Sequence, residues 1–145
     1  MMRTPVGRWA AAYLVAAVIF GILDYLWLTT VTDSLYRDRL GPLMADKPNT
    51  AAALAFYFIY LIGVTHFVTV PALERLSVRT VLVNGAILGL VAYATWDLTN
   101  LAVLQGFPGS IVVIDLIWGT LATAGAGSAT YVVLRRLDRS RSGTS

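Results

Sequence analysis

Four long apolar runs constrain this chain more than any other feature of its sequence. They span residues 9–31, 51–70, 81–104 and 110–134. Each has about 20 residues or more, the length that an α-helix needs to cross a hydrocarbon core of roughly 30 Å. Because no water reaches that core, backbone groups must bond internally, as they do in a helix. The sequence therefore predicts an all-α, integral membrane four-helix bundle in a single transmembrane domain, residues 1–145.

The composition supports lipid as the solvent. Hydrophobic residues make up 57% of the 145 positions and charged residues 13%, whereas soluble domains carry roughly 25% charged residues. A chain this short cannot bury so much apolar surface in a soluble fold. The absence of cysteine excludes disulfides, thiolate nucleophiles and Cys-ligated metals. No basic patch with interleaved aromatic residues occurs, so we expect no nucleic-acid partner.

The segments around the runs predict their connections. The first run follows Arg3 and Arg8 but is too long for a signal peptide and lacks an A-x-A site, so we expect an uncleaved first span. The first link contains "DSLYRDRLGPLM", a candidate interfacial helix with Leu35, Tyr36 and Leu40 against the membrane. "QGFPG" predicts a tight turn and an antiparallel hairpin of the third and fourth spans. The polar tail, residues 135–145, is expected to fray.

The basic residues predict the orientation. Four spans put both termini on one side, and eight of the 11 Lys and Arg residues fall on that side: Arg3, Arg8, Arg75, Arg79, Arg135, Arg136, Arg139 and Arg141. The other side has Arg37, Arg39 and Lys47. Because cytoplasmic segments are enriched in basic residues, both termini are expected in the cytoplasm. Binding of anionic lipid headgroups by the basic tail is a lesser alternative.

Three aspartates lie at one predicted depth. Asp24 and Asp97 come seven residues before the outer ends of the first and third runs, and Asp115 comes five residues after the fourth begins. At 1.5 Å per residue, all three carboxyl groups are expected roughly 7–11 Å below the outer boundary. Aspartate in mid-membrane costs roughly 2.5–3.5 kcal/mol, so these side chains are expected to face the bundle interior or a water-filled cleft.

Aromatic and amide side chains accompany these acids at helical spacing. "DYLW" and "DLIW" put a tryptophan three residues after an aspartate, on the same helix face. "YATWDLTN" gives a stripe of tyrosine, aspartate and asparagine, with Trp96 expected to point away from Asp97. The candidate ligand-binding residues are therefore Asp24, Trp27, Tyr93, Asp97, Asn100, Asp115 and Trp118.

Small residues predict where the helices approach closely. Gly85 and Gly89 in "GAILG" have small-xxx-small spacing, as do Gly119, Thr123 and Gly127 in "GTLATAGAG". We expect these five residues to let the third and fourth spans pack tightly.

Neither a metal nor a cofactor is predicted. No basic residue lies within the runs to neutralise the aspartates, although Arg37 or Arg39 could reach them from the first link. Three nearby carboxyl groups with little solvent cannot all be ionised. His66, the single histidine, lies four residues from the inner end of its run, so it is expected well over 10 Å from the acids. We interpret it as a structural polar residue.

The order of these motifs resembles a known family. "DYLWL", "FYFIYLIGVTHFVTVPAL", "GAILGLVAYATWDLTNLAVLQGFP" and "VVIDLIWGT" occur in succession between about Trp9 and Leu134. This pattern resembles the uncharacterised bacterial four-helix membrane proteins grouped as domain of unknown function 2177. "DLTNLA" and "D-x-x-WG" are its most specific pieces. The resemblance implies a small integral protein of the bacterial inner membrane and brings no activity.

Three functions remain open from the residues. The acids can form a structural polar core, although interhelical polar bonds contribute only about 0.6 kcal/mol on average. They can line an outer-facing site that binds or transports a cation, an amine or a lipid headgroup. They can act as acid and base, or hold Mg²⁺, in an enzyme that modifies a lipid. The binding site is the favoured hypothesis, with membrane lipids as partners and a homodimer expected if the protein transports.

Overall fold

The structure is a computed structural model that describes residues 4–142, apart from the side chains of residues 32, 33, 141 and 142. Four helices are long and apolar enough to cross a membrane: Pro5–Val31, Thr50–Arg75, Val78–Val103 and Gly109–Ser140. These are the first to fourth spans below. Each overlaps one predicted run, and the described residues contain no strand. The predicted all-α, four-helix membrane architecture is confirmed.

The first span ends at Val31, as predicted, but its helix continues beyond that residue. Its α-helix, Pro5–Trp27, begins with Thr4, whose hydroxyl accepts a hydrogen bond from Gly7 N at 3.1 Å. The chain then winds as a π-helix over Leu28–Tyr36, before the short helices Arg37–Leu40 and Gly41–Leu43. The π-helix is rare in proteins, and where it does occur it is often part of a functional site. The expected interfacial helix, residues 33–44, is thus divided between the end of the π-helix and the two short helices that follow it.

The second span contains two α-helices, Thr50–Gly63 and Val70–Arg75, joined by a π-helix over Val64–Thr69. Pro71 explains part of this irregularity, because proline has no N–H to donate to the carbonyl of Phe67 four residues earlier. Asn84 of the third span donates its side-chain amide to that carbonyl instead, at 2.8 Å. The bond ties the second span to the third.

The third and fourth spans form a close antiparallel hairpin. Their helices are Val78–Val103 and Gly109–Ser142, joined by a turn in which Gly106 has a φ of +76°. A Cβ atom on Gly85 would lie 2.7 Å from the Cα of Ala124, and one on Gly89 would collide with the carbonyl of Gly119. The two backbones are therefore in direct contact.

The C-terminal residues differ from the expectation. The tail was expected to fray from residue 135, whereas the fourth helix continues to Ser142. Arg135 and Arg136 extend that helix as its polar end. Residues 143–145 of the predicted tail, and Arg3 of the orientation argument, lie outside the described residues.

The two ends of the bundle are built differently. The loop end contains the connections 32–49 and 104–108, and the terminal end contains the first and last described residues, 4 and 142, and the connection 76–77. Toward the terminal end, fully buried Val64 and Val68 pack with Ala12 and Ala16 of the first span. The Thr50–Gly63 helix of the second span packs mainly against the first span and reaches the fourth through a hydrogen bond between Tyr60 and Thr123, so the bundle is more open at the loop end.

Candidate functional site

A cavity of about 760 Å³ lies among the four spans at the loop end. Six of the seven residues predicted to bind a ligand line it: Asp24, Trp27, Tyr93, Asp97, Asp115 and Trp118. Asn100 does not line it, and its neighbour Thr99 does. The structure thus brings the three acids of three different spans to one cavity. Their role in binding a ligand stays a prediction.

Asp24 is held by the second span. It is 8% exposed, and its Oδ2 atom accepts a hydrogen bond from the hydroxyl of Tyr57. The ring of Tyr57 meets Phe20 of the first span edge-on, with centroids 6.3 Å apart. Tyr57 therefore links the first and second spans at the level of the cavity.

Asp115 is held by the link that follows the first span. The hydroxyl of Tyr36 donates to Asp115 Oδ1 and accepts a bond of 3.3 Å from Trp27 Nε1. Burial and the bond to Asp115 both raise the pKa of Tyr36 above its ordinary range. Tyr36 was expected to rest on the membrane surface; it lies instead in the cavity wall.

Asp97 differs from the other two acids because no hydroxyl or N–H group bonds to it. It has no exposed surface, and neither carboxyl oxygen has a donor in the described part of the chain. Its carboxyl group lies within hydrogen-bonding reach of that of Asp115. None of the described residues around the cavity is basic. Two adjacent buried carboxyl groups cannot both be ionised at low cost unless a cation lies beside them, so this part of the site favours a cation or a shared proton.

Aromatic rings form the wall beside these acids. Trp27 and Trp118 stack face to face, with ring centroids 4.2 Å apart and planes 9° from parallel. The Nε1 atom of Trp118 is buried without a hydrogen-bond acceptor among the described residues. Trp96 also lines the cavity, although it was expected to point away from Asp97. Aromatic faces beside carboxylates are the usual surroundings of an organic cation.

Several of the packing residues also support the cavity floor. Gly119 faces the ring of Tyr93, which a Cβ atom would strike, so the missing side chain leaves room for the tyrosine. Thr123 shares a hydrogen bond with the hydroxyl of Tyr60 and donates to Gly119 O at 2.6 Å. Gly127 faces Val68 of the second span. The small residues thus make room for side chains of other spans, and they also let the backbones of the third and fourth spans come into contact.

Two contributors, Tyr36 and Tyr57, were missed from the sequence. Tyr57 lies seven residues after Thr50, where the second span begins, the same depth as Asp24 in the first span. The depth argument applied to tyrosine would therefore have found it. Tyr36 had no comparable signal, because its inward position depends on the π-helix. His66 is exposed, packs edge-on against Phe67 and does not line the cavity.

The described carboxyl and imidazole groups do not converge on one point. No three of the Asp, Glu and His side chains within residues 4–142 lie close enough to hold a metal ion. The three aspartates are instead spread around a cavity that is large for a single ion.

Comparison with known protein families identifies the family of the chain. The profile of a family described as Predicted membrane protein, domain of unknown function 2177, matches residues 9–132. No curated protein and no solved structure matches the chain.

Proposed function

Since the chain belongs to the membrane protein family of domain of unknown function 2177, we propose that it binds a cationic group, an amine or the headgroup of a lipid, in the acidic cavity. The cation lies against Asp24 and Asp115, which reach the cavity surface, and beside the Trp27–Trp118 stack. Ionisable side chains inside a membrane are costly, and their usual roles are substrate and ion sites.

The observation that supports this proposal is the state of Asp97. Asp24 and Asp115 each accept a hydrogen bond from a tyrosine, whereas among the described residues the buried Asp97 carboxyl has only another acid, Asp115, within hydrogen-bonding reach. A purely structural polar core is expected to satisfy its buried groups internally. A cation in the cavity supplies the attraction that Asp97 and Asp115 lack in the described structure.

We further propose that the protein lies in the bacterial inner membrane with both termini in the cytoplasm. The excess of basic residues on the terminal side supports this orientation. The loop end, and with it the cavity, then faces the periplasm. Binding needs one copy of the chain; a homodimer is proposed only for a transport role.

Charge removal without loss of a hydrogen bond tests the proposal. Asparagine at position 115 still accepts the bond from Tyr36 but cannot ionise, so Asp115→Asn is expected to weaken butylamine binding at least about ten-fold, or about 1.4 kcal/mol. Binding is followed by tryptophan fluorescence in phosphatidylcholine nanodiscs, because Trp27 and Trp118 line the cavity. Asp46→Asn, at an exposed position away from the cavity, is the matched control.

The structural hypothesis predicts a different result. If the acids only fix the helices, wild-type protein does not respond to butylamine, and Asp24→Asn, Asp97→Asn and Asp115→Asn each lower stability. That combination would contradict the proposed function. Modification of a co-purifying lipid, detected by mass spectrometry, would instead favour an enzyme.

A further inference from the structure

The loop-end half of the second span is attached to two neighbours but not to the third span. Tyr57 bonds to Asp24 of the first span, and Tyr60 bonds to Thr123 of the fourth. The hydrogen bond from Asn84 to Phe67 joins the second and third spans, but at the opposite half of the bundle. The Thr50–Gly63 helix has at most marginal contact with the third span. A lateral gap therefore separates these two spans beside the cavity.

Both edges of this lateral gap are apolar. Phe56 on the second span and Trp96 on the third span line the cavity and are 48% and 50% exposed. Thr95 and Thr99 line it too, but their hydroxyl groups bond to Val91 O, at 2.7 Å, and to Thr95 O of their own helix. The hydroxyl protons of both threonines are therefore used within the helix, and their methyl groups are available for apolar contact. Such edges suit an alkyl chain better than a water path.

The other sides of the cavity are covered. The Trp27–Trp118 stack lies between the first and fourth spans. Leu40, Leu43 and Met44 of the first link line the cavity from the loop end. Within the part of the chain that the structure describes, the lateral gap is therefore the apolar opening through which a molecule with a charged group among the acids can extend a long apolar part.

We propose that the bound molecule is a membrane-resident amphiphile with a cationic headgroup, whose headgroup lies by Asp24 and Asp115 and whose alkyl chain leaves through the lateral gap into the bilayer. This inference rests on the proposed function and specifies its ligand class. The volume supports it, because about 760 Å³ lies within the range of sites for whole small molecules and exceeds the needs of an ammonium group alone.

Two amines with the same headgroup separate this inference from the proposed function. Hexadecylamine and butylamine are titrated into phosphatidylcholine nanodiscs, with hexadecylamine expressed as mole fraction of lipid so that partitioning does not count as binding. Thr99→Phe narrows the lateral gap without touching an acid. Leu98→Phe, also on the third span but 49% exposed and outside the cavity lining, is the control.

The expected result is that Thr99→Phe weakens hexadecylamine binding at least about ten-fold more than it weakens butylamine binding, while Leu98→Phe alters neither. If Thr99→Phe alters neither amine, or weakens both equally, the lateral exit is wrong and the cation site stands. If wild-type protein binds neither amine, the proposed function itself fails, and this inference fails with it.

The position of the alkyl chain of the bound amine can be measured separately. Hexadecylamine brominated along its chain is expected to quench Trp96 at the lateral gap, so Trp96→Phe should remove most of the bromine-dependent quenching. Trp9→Phe is the control, since Trp9 stacks on Tyr13 at the other end of the first span. Equal quenching in the wild type and in Trp96→Phe would overturn the proposed path of the chain.

Discussion

Tyr36 donates its hydroxyl proton to a hydrogen bond with Asp115, 79 residues further along the chain. The same hydroxyl oxygen accepts the indole N–H of Trp27. One side chain of the first link thus joins the end of the first span to the acid of the fourth. The link is thereby part of the cavity wall rather than a loose connection.

Alkaline titration tests the position of Tyr36. Because burial and Asp115 hold its pKa above the ordinary value of about 10, Tyr36→Phe is expected to leave the absorbance change at 295 nm near pH 10 unaltered. The variant should lose amplitude only at higher pH. A drop in the transition near pH 10 would contradict the buried, bonded position.

The raised pKa of Tyr36 also makes the stability of the folded protein depend on pH. In the unfolded chain Tyr36 ionises near pH 10, whereas the folded protein keeps the proton. Its contribution to the free energy of unfolding is therefore complete below pH 10 and is lost as the pH rises above it. Tyr36→Phe should show a smaller decrease of stability above pH 10 than the wild type in SDS unfolding.

Asp97→Asn is expected to preserve or raise stability, by up to about 1 kcal/mol. The side-chain amide of the new asparagine can donate a hydrogen bond to Asp115, whereas the present Asp97 carboxyl receives no hydrogen bond from any N–H or hydroxyl group among the described residues. Asp24→Ala is the contrasting variant, because it leaves the Tyr57 hydroxyl without its acceptor and should cost about 1–2 kcal/mol. SDS unfolding measures both. A loss above about 1 kcal/mol for Asp97→Asn would assign Asp97 a structural role.

Gly89→Ala is expected to destabilise the bundle by about 1–3 kcal/mol, because the new Cβ would collide with the carbonyl of Gly119. Gly125→Ala on the fourth span meets no atom within 4 Å and is the matched control. Unfolding in SDS compares them. Equal stability of the two variants would show that the third and fourth spans do not touch through their backbones.

Orientation is measurable because the chain has no cysteine. Single cysteines at exposed Ala45 and Val78 place a thiol at the loop end and at the terminal end. In intact cells with a permeable outer membrane, an impermeant maleimide is expected to label Ala45→Cys and to spare Val78→Cys. The reverse pattern would invert the proposed topology and put the cavity on the cytoplasmic side.

The spans were predictable from the sequence because hydropathy and length decide whether a helix can cross a membrane. The meeting of Asp24, Asp97 and Asp115 at one cavity was predictable too, since depth follows from rise per residue. The absence of Asn100 from the cavity lining was not predictable, because i+3 spacing shows that two residues share a helix face but not the depth at which the cavity ends. Residues 135–142 are helical, where fraying was expected, and they contain neither glycine nor proline to end the helix.

Tyr36 could not be predicted because its direction depends on a local change of helix type. In α-helical geometry the residues after Trp27 would face differently from the way they do in the π-helix Leu28–Tyr36. Hydrophobic spacing does not encode that change. The second span shows the same limit, where a π-helix precedes Pro71 and turns Thr65 and Thr69 into the core.

The direction of the Tyr36 side chain depends on the number of residues in the π-helix Leu28–Tyr36 more than on the identity of the residues that precede it. Each of its backbone bonds reaches one residue further than in an α-helix. Deleting a single residue there would let the segment form an α-helix. The hydroxyl group of Tyr36 would then no longer face Asp115 of the fourth span. Insertions and deletions are therefore expected to be tolerated in residues 45–48 and to disrupt the cavity wall when they fall within residues 28–36.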